Sequence, residues 1–276
     1  YKIDVLSSDE TIKDSFDILY NFDVEEKATS LATKINAKKK FGFYSESGYP
    51  AVFNSKAEYY LNTLFDDELK KSNKKTYQEM MFEVAELPYH KEHCSIVIDS
   101  NSSKYAQDFK SSNGLDGKKI IGIHMGASPR WPSKVWDKEK VKDFIIACNK
   151  SRKGVILFGG PNEVTEHQEL TRELQSKGIS FARNNPTNSD MEFVSLVNIC
   201  DFMVCSDSYA LHVSLALKKK TIGLFFCTSP DEIESYELLT KLVAPKLYHF
   251  FPERMNEFNK ELVNSISVKQ VLDSIK

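Results

Sequence analysis

Lys134, Glu163, Asp207 and His212 lie far apart in this chain, yet each stands where an apolar run gives way to a helical pattern. In "MVCSDSYALHVSLALKKKTIGLFF", residues 203–226, two strand-like runs flank a helix-like segment, and Asp207, Ser208 and His212 fall at the first junction. A helix opening at Ser208 presents unpaired backbone N–H groups and the positive end of its dipole, which suits a phosphate or diphosphate. Asp207 has the type and position of an N-cap, and His212 lies one turn into the helix near the same mouth. In "HMGASPRWPSKVW" the loop from Ser128 to Trp136 carries Lys134 just before a helix starting near Asp137. In "FGGPNE", Gly159 and Gly160 permit a tight turn before Glu163 enters the next helix.

Taken singly, each of these residues has an ordinary explanation. Asp207 caps a helix, His212 is a satisfied buried histidine, Lys134 is a solvated surface lysine, and Glu163 is a first-turn acid that favours the helix dipole. The elements that carry them shift the balance. Strand-like runs "KIIGIHM", "GVILFGG", "ISFAR", "DFMVCS" and "KTIGLFF" alternate with helical patterns at 137–150, 162–177, 189–199 and 208–218. That rhythm predicts right-handed crossovers and a mostly parallel, doubly wound sheet covered on both faces. Ligands bind such sheets outside the carboxyl ends of the strands, where these loops gather. Lys134, Glu163, Asp207 and His212 then share one crevice. An ammonium beside a helix N-terminus suits a diphosphate and a carboxylate suits ribose or sugar hydroxyls, which together describe a nucleotide-sugar site.

Before this region, "FDILYNF" (16–22) reads as a buried strand, 24–37 as an amphipathic helix, and "KKKFGFYSE" as a strand running into a Gly/Pro turn at 48–50. Helices are expected over 55–72 and 75–87, the second opened by a capping-box pattern, Thr76 and Glu79. "DSNSSKYAQDFKSSNGLDGKK" has the composition of a linker or surface crossing. The expected division is therefore 1–105 for an N-terminal domain and 106–276 for a C-terminal one.

Composition narrows the functional classes. The chain has 276 residues, 41% hydrophobic and 28% charged, with a formal charge of -2 and no concentrated basic stripe for nucleic acid. The five cysteines show neither C-x-x-C spacing nor an even count and lie mostly in apolar runs, as reduced thiols of a cytoplasmic protein would. No apolar run reaches membrane-spanning length, and no signal-peptide pattern is present. The "KKK" runs at 38–40 and 218–220 read as solvated faces. The opening "YKIDVLSSDE" lacks an initiator Met and enters on a strand-like run, as a fragment would.

The succession "GIHMGASPRWPSKVW", "VILFGGPNE" and "NNPTNSDMEFVSLVNICDFMVCSDSYALHVSLALKKKTIGLFF" resembles the ADP-heptose:lipopolysaccharide heptosyltransferases, glycosyltransferase family nine. The likeness is good over roughly residues 118–230 and weaker through "ISVKQVLDSI", and "FDILYNFDVEEKATSLATKINAKKKFGFY" resembles the later part of the family's first domain. The resemblance implies an α/β fold of GT-B type with two Rossmann-like doubly wound domains, the N-terminal one expected to be incomplete here. It implies an inverting, metal-independent glycosyltransferase that moves heptose or a related sugar from ADP-heptose to a lipopolysaccharide-core or other glycan acceptor. No cofactor is expected, since the nucleotide-sugar is a substrate, and the lipid-linked acceptor implies peripheral contact with the inner membrane.

Carried over by position, Lys134 would contact the donor phosphates and Glu163 the ribose. Asp207 and His212 would serve the sugar and diphosphate region, Ser208 would offer a backbone N–H, and Ser128 and Tyr209 would complete the donor site. Two departures stand out. Tyr209 occupies the glycine of the family's Asp-Ser-Gly-x-x-His pattern, which narrows the approach of backbone to ligand. The family's N-terminal Gly-Asp loop, whose Asp is the expected general base, has no counterpart in the sequence, so no catalytic residue is assigned. Competing expectations are a nucleotide-sugar epimerase, which would turn over donor without acceptor, and a sugar-nucleotide or glycan-binding protein without catalysis.

Overall fold

A computed structural model describes residue 12 and residues 14–275. The strand-like opening at 1–10 lies outside the described residues. The chain divides into two compact units, one of residues 1–92 with Asp231–Glu234, the other of His93–Pro230 with Ser235–Lys276.

In the N-terminal unit, β1 (Ser15–Asn21), α1 (Glu26–Lys34) and β2 (Asn36–Glu46) form a parallel unit, with Ser15 opposite Asn36. β3 (Tyr49–Val52) then returns antiparallel to β2, so this small sheet is mixed, where a doubly wound reading calls for parallel strands. The reversal sits on Ser47 and Gly48, both at positive φ (53° and 88°), the backbone of a two-residue hairpin whose twist matches its strands. The expected helix over 55–72 breaks in two. α2 (Glu58–Thr63) stops, and Asp66 starts α3 (Asp67–Ser72) by accepting the Leu69 N–H at 2.9 Å. α4 (Tyr77–Val84) is capped by Thr76, as its sequence pattern predicts. Phe43, Ala57 and Val84 are buried together, with Val24, Val52, Tyr60, Leu61 and Met81 packed around them.

The stretch read as a linker is in part a helix. α5 (Ser100–Ser112) is capped by Asp99, which accepts the Asn101 and Ser102 N–H groups at 2.9 Å, and it buries Ser102 and Ala106. Its Ser/Asn-rich composition hid the cap and the buried stripe.

The C-terminal unit continues with β4 (Ile120–His124), α6 (Lys138–Lys150), β5 (Gly154–Phe158), α7 (Val164–Ser176), β6 (Ala182–Arg183), α8 (Asp190–Asn198), β7 (Phe202–Ser206), α9 (Tyr209–Ala216), β8 (Lys220–Phe225), β9 (Leu239–Val243), α10 (Lys260–Asn264) and α11 (Val268–Ser274). The sheet order is β6-β5-β4-β7-β8-β9, with every pair parallel. β5 and β7 are buried along their whole length, which is why their sequences are near-continuous apolar runs. Each fully buried Ile, Val or Phe of these strands contributes roughly 1.5–3 kcal/mol. The chain steps outward from β4 to β6, then crosses back to β7 and steps the other way. The order therefore reverses between β4 and β7, and a crevice opens above their carboxyl ends.

Among the described residues no helix is long and apolar enough to cross a membrane. All five cysteines are free thiols, with Cys94 exposed and the others buried.

Candidate functional site

A cavity of about 520 Å³ lies at that crevice, within the C-terminal unit. Ser128, Lys134, Glu163, Asp207, Ser208, Tyr209 and His212 all line it. So do His124, Gly126, Trp131 and Asn162, whose part in it the sequence reading missed.

The loop from β4 to α6 holds Lys134 by anchoring its neighbours. The buried Ser133 hydroxyl donates to the Glu257 carbonyl and accepts the Asn259 N–H, both at 2.7 Å, while the Trp136 indole N–H donates to the Ile266 carbonyl at 3.0 Å. Ser128 makes the turn before it, its hydroxyl accepting the Arg130 N–H at 3.3 Å and its carbonyl the Trp131 N–H at 3.0 Å. Lys134 is itself only 8% exposed. Its ammonium lies 3.1 Å from Asp207 Oδ2 and 4.6 Å from the centre of the Trp131 ring. A lysine placed so is no solvated surface charge.

The loop from β5 to α7 turns on Gly159 and Gly160. The Asn184 side chain brackets Gly159, accepting its N–H at 3.0 Å and donating to its carbonyl at 3.1 Å. Glu163 Oε2 turns back to accept the Gly160 N–H at 2.7 Å, so one oxygen of this carboxylate is already held. Gly126 allows the arrangement, because a Cβ there would stand 3.0 Å from the Glu163 carboxyl and from the His124 ring.

The loop from β7 to α9 departs from the sequence reading in one respect. Asp207 does not cap the helix. Ser208 is the N-cap residue, with extended backbone (φ -148°, ψ 175°), and no side chain caps the first turn. Asp207 is drawn off by partners from outside its own turn and one turn ahead: Oδ2 faces Lys134, and Oδ1 lies 3.8 Å from His212 Nε2. A full positive charge close by outweighs a neutral backbone N–H as partner for a carboxylate.

The histidines are held neutral. His212 is not the buried histidine expected from the sequence, its side chain being 53% exposed, but desolvation at the cavity wall, with the nearby Lys134 charge, still lowers its pKa below the usual imidazole value, and the Asp207 carboxylate only partly offsets them. His124 is pushed down to about 4 by burial and by His167, against a hydrogen bond with the Gly126 backbone. His167, behind Gly159, is also at about 4, through burial and Arg183. Ser208 Oγ lies 3.5 Å from His124 Nδ1. His124 closes the strand run "KIIGIH", and its place at a strand end was the available signal for it.

The arrangement offers an anion a buried ammonium and the uncapped start of a helix on one side, with the Glu163 carboxylate for hydroxyl groups on the other. Among the described residues, no group of three or more His, Cys, Asp or Glu is placed to hold a metal ion.

Comparison with known proteins agrees with this reading of the fold. Lipooligosaccharide heptosyltransferase 2 of one Campylobacter jejuni strain (serotype O:6) is 23% identical over 73% of this chain and 64% of its own length. The protein of the same name from a second strain (serotype O:2) is 23% identical over 92% of this chain and 82% of its own. The chain thus spans just under two thirds of the first relative's length. A crystal structure of a family 9 glycosyl transferase from Veillonella parvula superimposes with a TM-score of 0.70 at 19% identity, covering 94% of this chain and 72% of that one. ADP-heptose lps heptosyltransferase II of E. coli gives 0.55 at 17% identity, over 70% and 55%. These likenesses are of fold, and they bear out the α/β class of GT-B type. The family description Glycosyltransferase family 9 (heptosyltransferase) matches residues 6–257, and the chain belongs to that family.

Proposed function

We propose that the C-terminal unit binds the donor of a heptosyl transfer, an ADP-heptose or a closely related nucleotide-sugar. The observation that carries this reading is the meeting of the buried Lys134 ammonium and the uncapped N-terminus of α9 on one cavity. Lys134 and the first-turn N–H groups of α9, that of Ser208 included, hold the diphosphate; Ser128 shapes the loop beside it. Glu163 takes the ribose hydroxyls with the oxygen not committed to Gly160. Asp207 and His212 face the sugar and the sugar-phosphate oxygen, and Tyr209 borders the same space.

In the transfer, the bond from the sugar's anomeric carbon to phosphate breaks as an acceptor hydroxyl attacks from the opposite face and yields its proton to a base. Negative charge grows on the departing diphosphate, and the ammonium and helix amides stabilise it there more than in the ground state. The acceptor in this reading is a lipopolysaccharide-core glycan, met from the cytoplasm at the inner membrane surface. The names of the Campylobacter and E. coli relatives support the choice of sugar.

Isothermal calorimetry with ADP, followed by incubation with ADP-heptose and a heptose-deficient core acceptor, tests the proposal. Saturable ADP binding and release of ADP only when acceptor is present are expected. Absence of heat with ADP would remove the donor assignment, and ADP-heptose turnover without acceptor would replace transfer by another reaction.

A further inference from the structure

Tyr209 is the first helical residue of α9 and lines the cavity, yet it is 52% exposed. It is nonetheless held. One side of the ring leans on Phe193 of α8, with centroids 5.4 Å apart and planes at 36°, and burial, with the Asp190 carboxylate at the start of the same helix, raises the pKa of its hydroxyl. Phe193 is anchored in turn edge-to-face on Phe158, the last residue of β5, at 5.3 Å and on His124, the last of β4, at 6.1 Å. A chain of aromatic contacts thus runs from the tips of β5 and β4 to Tyr209, whose ring borders the same cavity as Glu163.

We infer that Tyr209 is the stacking platform for the nucleobase of the donor. The inference rests on the donor-binding reading above and assigns the base to one face of one ring. Phe193 backs the ring, so the chemistry left to the exposed side of Tyr209 is that of a flat π-surface. A nucleobase offers a planar face to such a platform, and base–aromatic stacking needs no hydrogen bond from the ring. The position follows as well. The ring starts from the residue whose N–H helps form the diphosphate-binding helix tip, and it borders the same cavity as the carboxylate suited to ribose, so phosphate, ribose and base can share one pocket. A bulky side chain at this point serves here as a base-binding surface, supported by Phe193.

The test is a calorimetric comparison of ADP with inorganic pyrophosphate on the wild type, Tyr209→Phe and Tyr209→Ala. Wild type should bind ADP more tightly than pyrophosphate. Tyr209→Ala should weaken ADP roughly tenfold or more, the scale of one base–aromatic stack, and leave pyrophosphate unchanged, while Tyr209→Phe retains most of the ADP affinity. An unchanged ratio of ADP to pyrophosphate affinity in Tyr209→Ala, or an equal loss of both ligands, overturns the platform. If the wild type binds pyrophosphate as well as ADP, base stacking is overturned while the diphosphate site stands. If it binds neither, the donor-binding reading itself fails.

Discussion

α8 and α9 are neighbouring helices on the same sheet, and their N-termini are finished in opposite ways. At α8 the Ser189 hydroxyl accepts the Glu192 N–H at 3.3 Å, and Glu192 Oε2 accepts the Ser189 N–H at 2.9 Å, a reciprocal box that satisfies the helix from within. At α9 the residues are equally suited to capping, an Asp followed by a Ser, yet no side chain caps the first turn. The good capping side chain, Asp207, is committed to Lys134 and His212 instead. A helix start that is closed by its own side chains serves the fold. One left uncapped beside a cavity, with the preceding carboxylate drawn into a charge cluster, keeps its amides for a ligand, at some cost in stability.

The sharpest way to break this contrast is to remove the ammonium. Lys134→Ala should weaken ADP binding roughly 10- to 100-fold, the range of a lost charge-assisted hydrogen bond, and should also lower the melting temperature, since Asp207 keeps its largely buried charge without its cationic partner. An unchanged calorimetric Kd would separate Lys134 from the ligand. Next come the two serines. Ser189→Ala should cost about 1 kcal/mol of stability in urea unfolding and leave ADP affinity intact. Ser208→Ala, whose hydroxyl caps nothing, should cost under about 0.5 kcal/mol. Equal losses would mean the two helix starts are not different after all.

The smallest expected effect is on pH dependence. His212 is neutral in the ligand-free site because its pKa lies below the ordinary value. A diphosphate beside it raises that pKa, so binding takes up a proton. ADP affinity should then rise a few-fold as pH falls from about 8 through the bound-state pKa, and level off below the ligand-free one. His212→Gln should lose that part of the slope, leaving only the titration of ADP itself. A variant with the same slope as wild type would place the proton uptake elsewhere.

Much of the C-terminal unit was legible because its strands are buried on both faces, and an uninterrupted run such as "GVILF" can be recognised from its residues alone. The starts of α4 and α6 were legible for a local reason: Thr76 and Asp137 cap the turns that follow them directly. β9 was missed because "LTKLV", at the sheet's edge, is buried only at Leu239 and carries no clear pattern. α5 was missed because a Ser/Asn-rich surface resembles a linker until Asp99 is seen to cap it. The behaviour of Asp207 could not be read locally at all. Its choice between capping α9 and pairing with Lys134 is settled by a residue from another loop, brought near only by the pairing of β4 with β7.

The most direct test of the central claim is a crystal structure of the protein soaked with ADP. The β-phosphate oxygens should lie within hydrogen-bonding distance of the first-turn N–H groups of α9 and of Lys134 Nζ. Phosphate density away from both, with the Lys134–Asp207 pair undisturbed, would contradict the account.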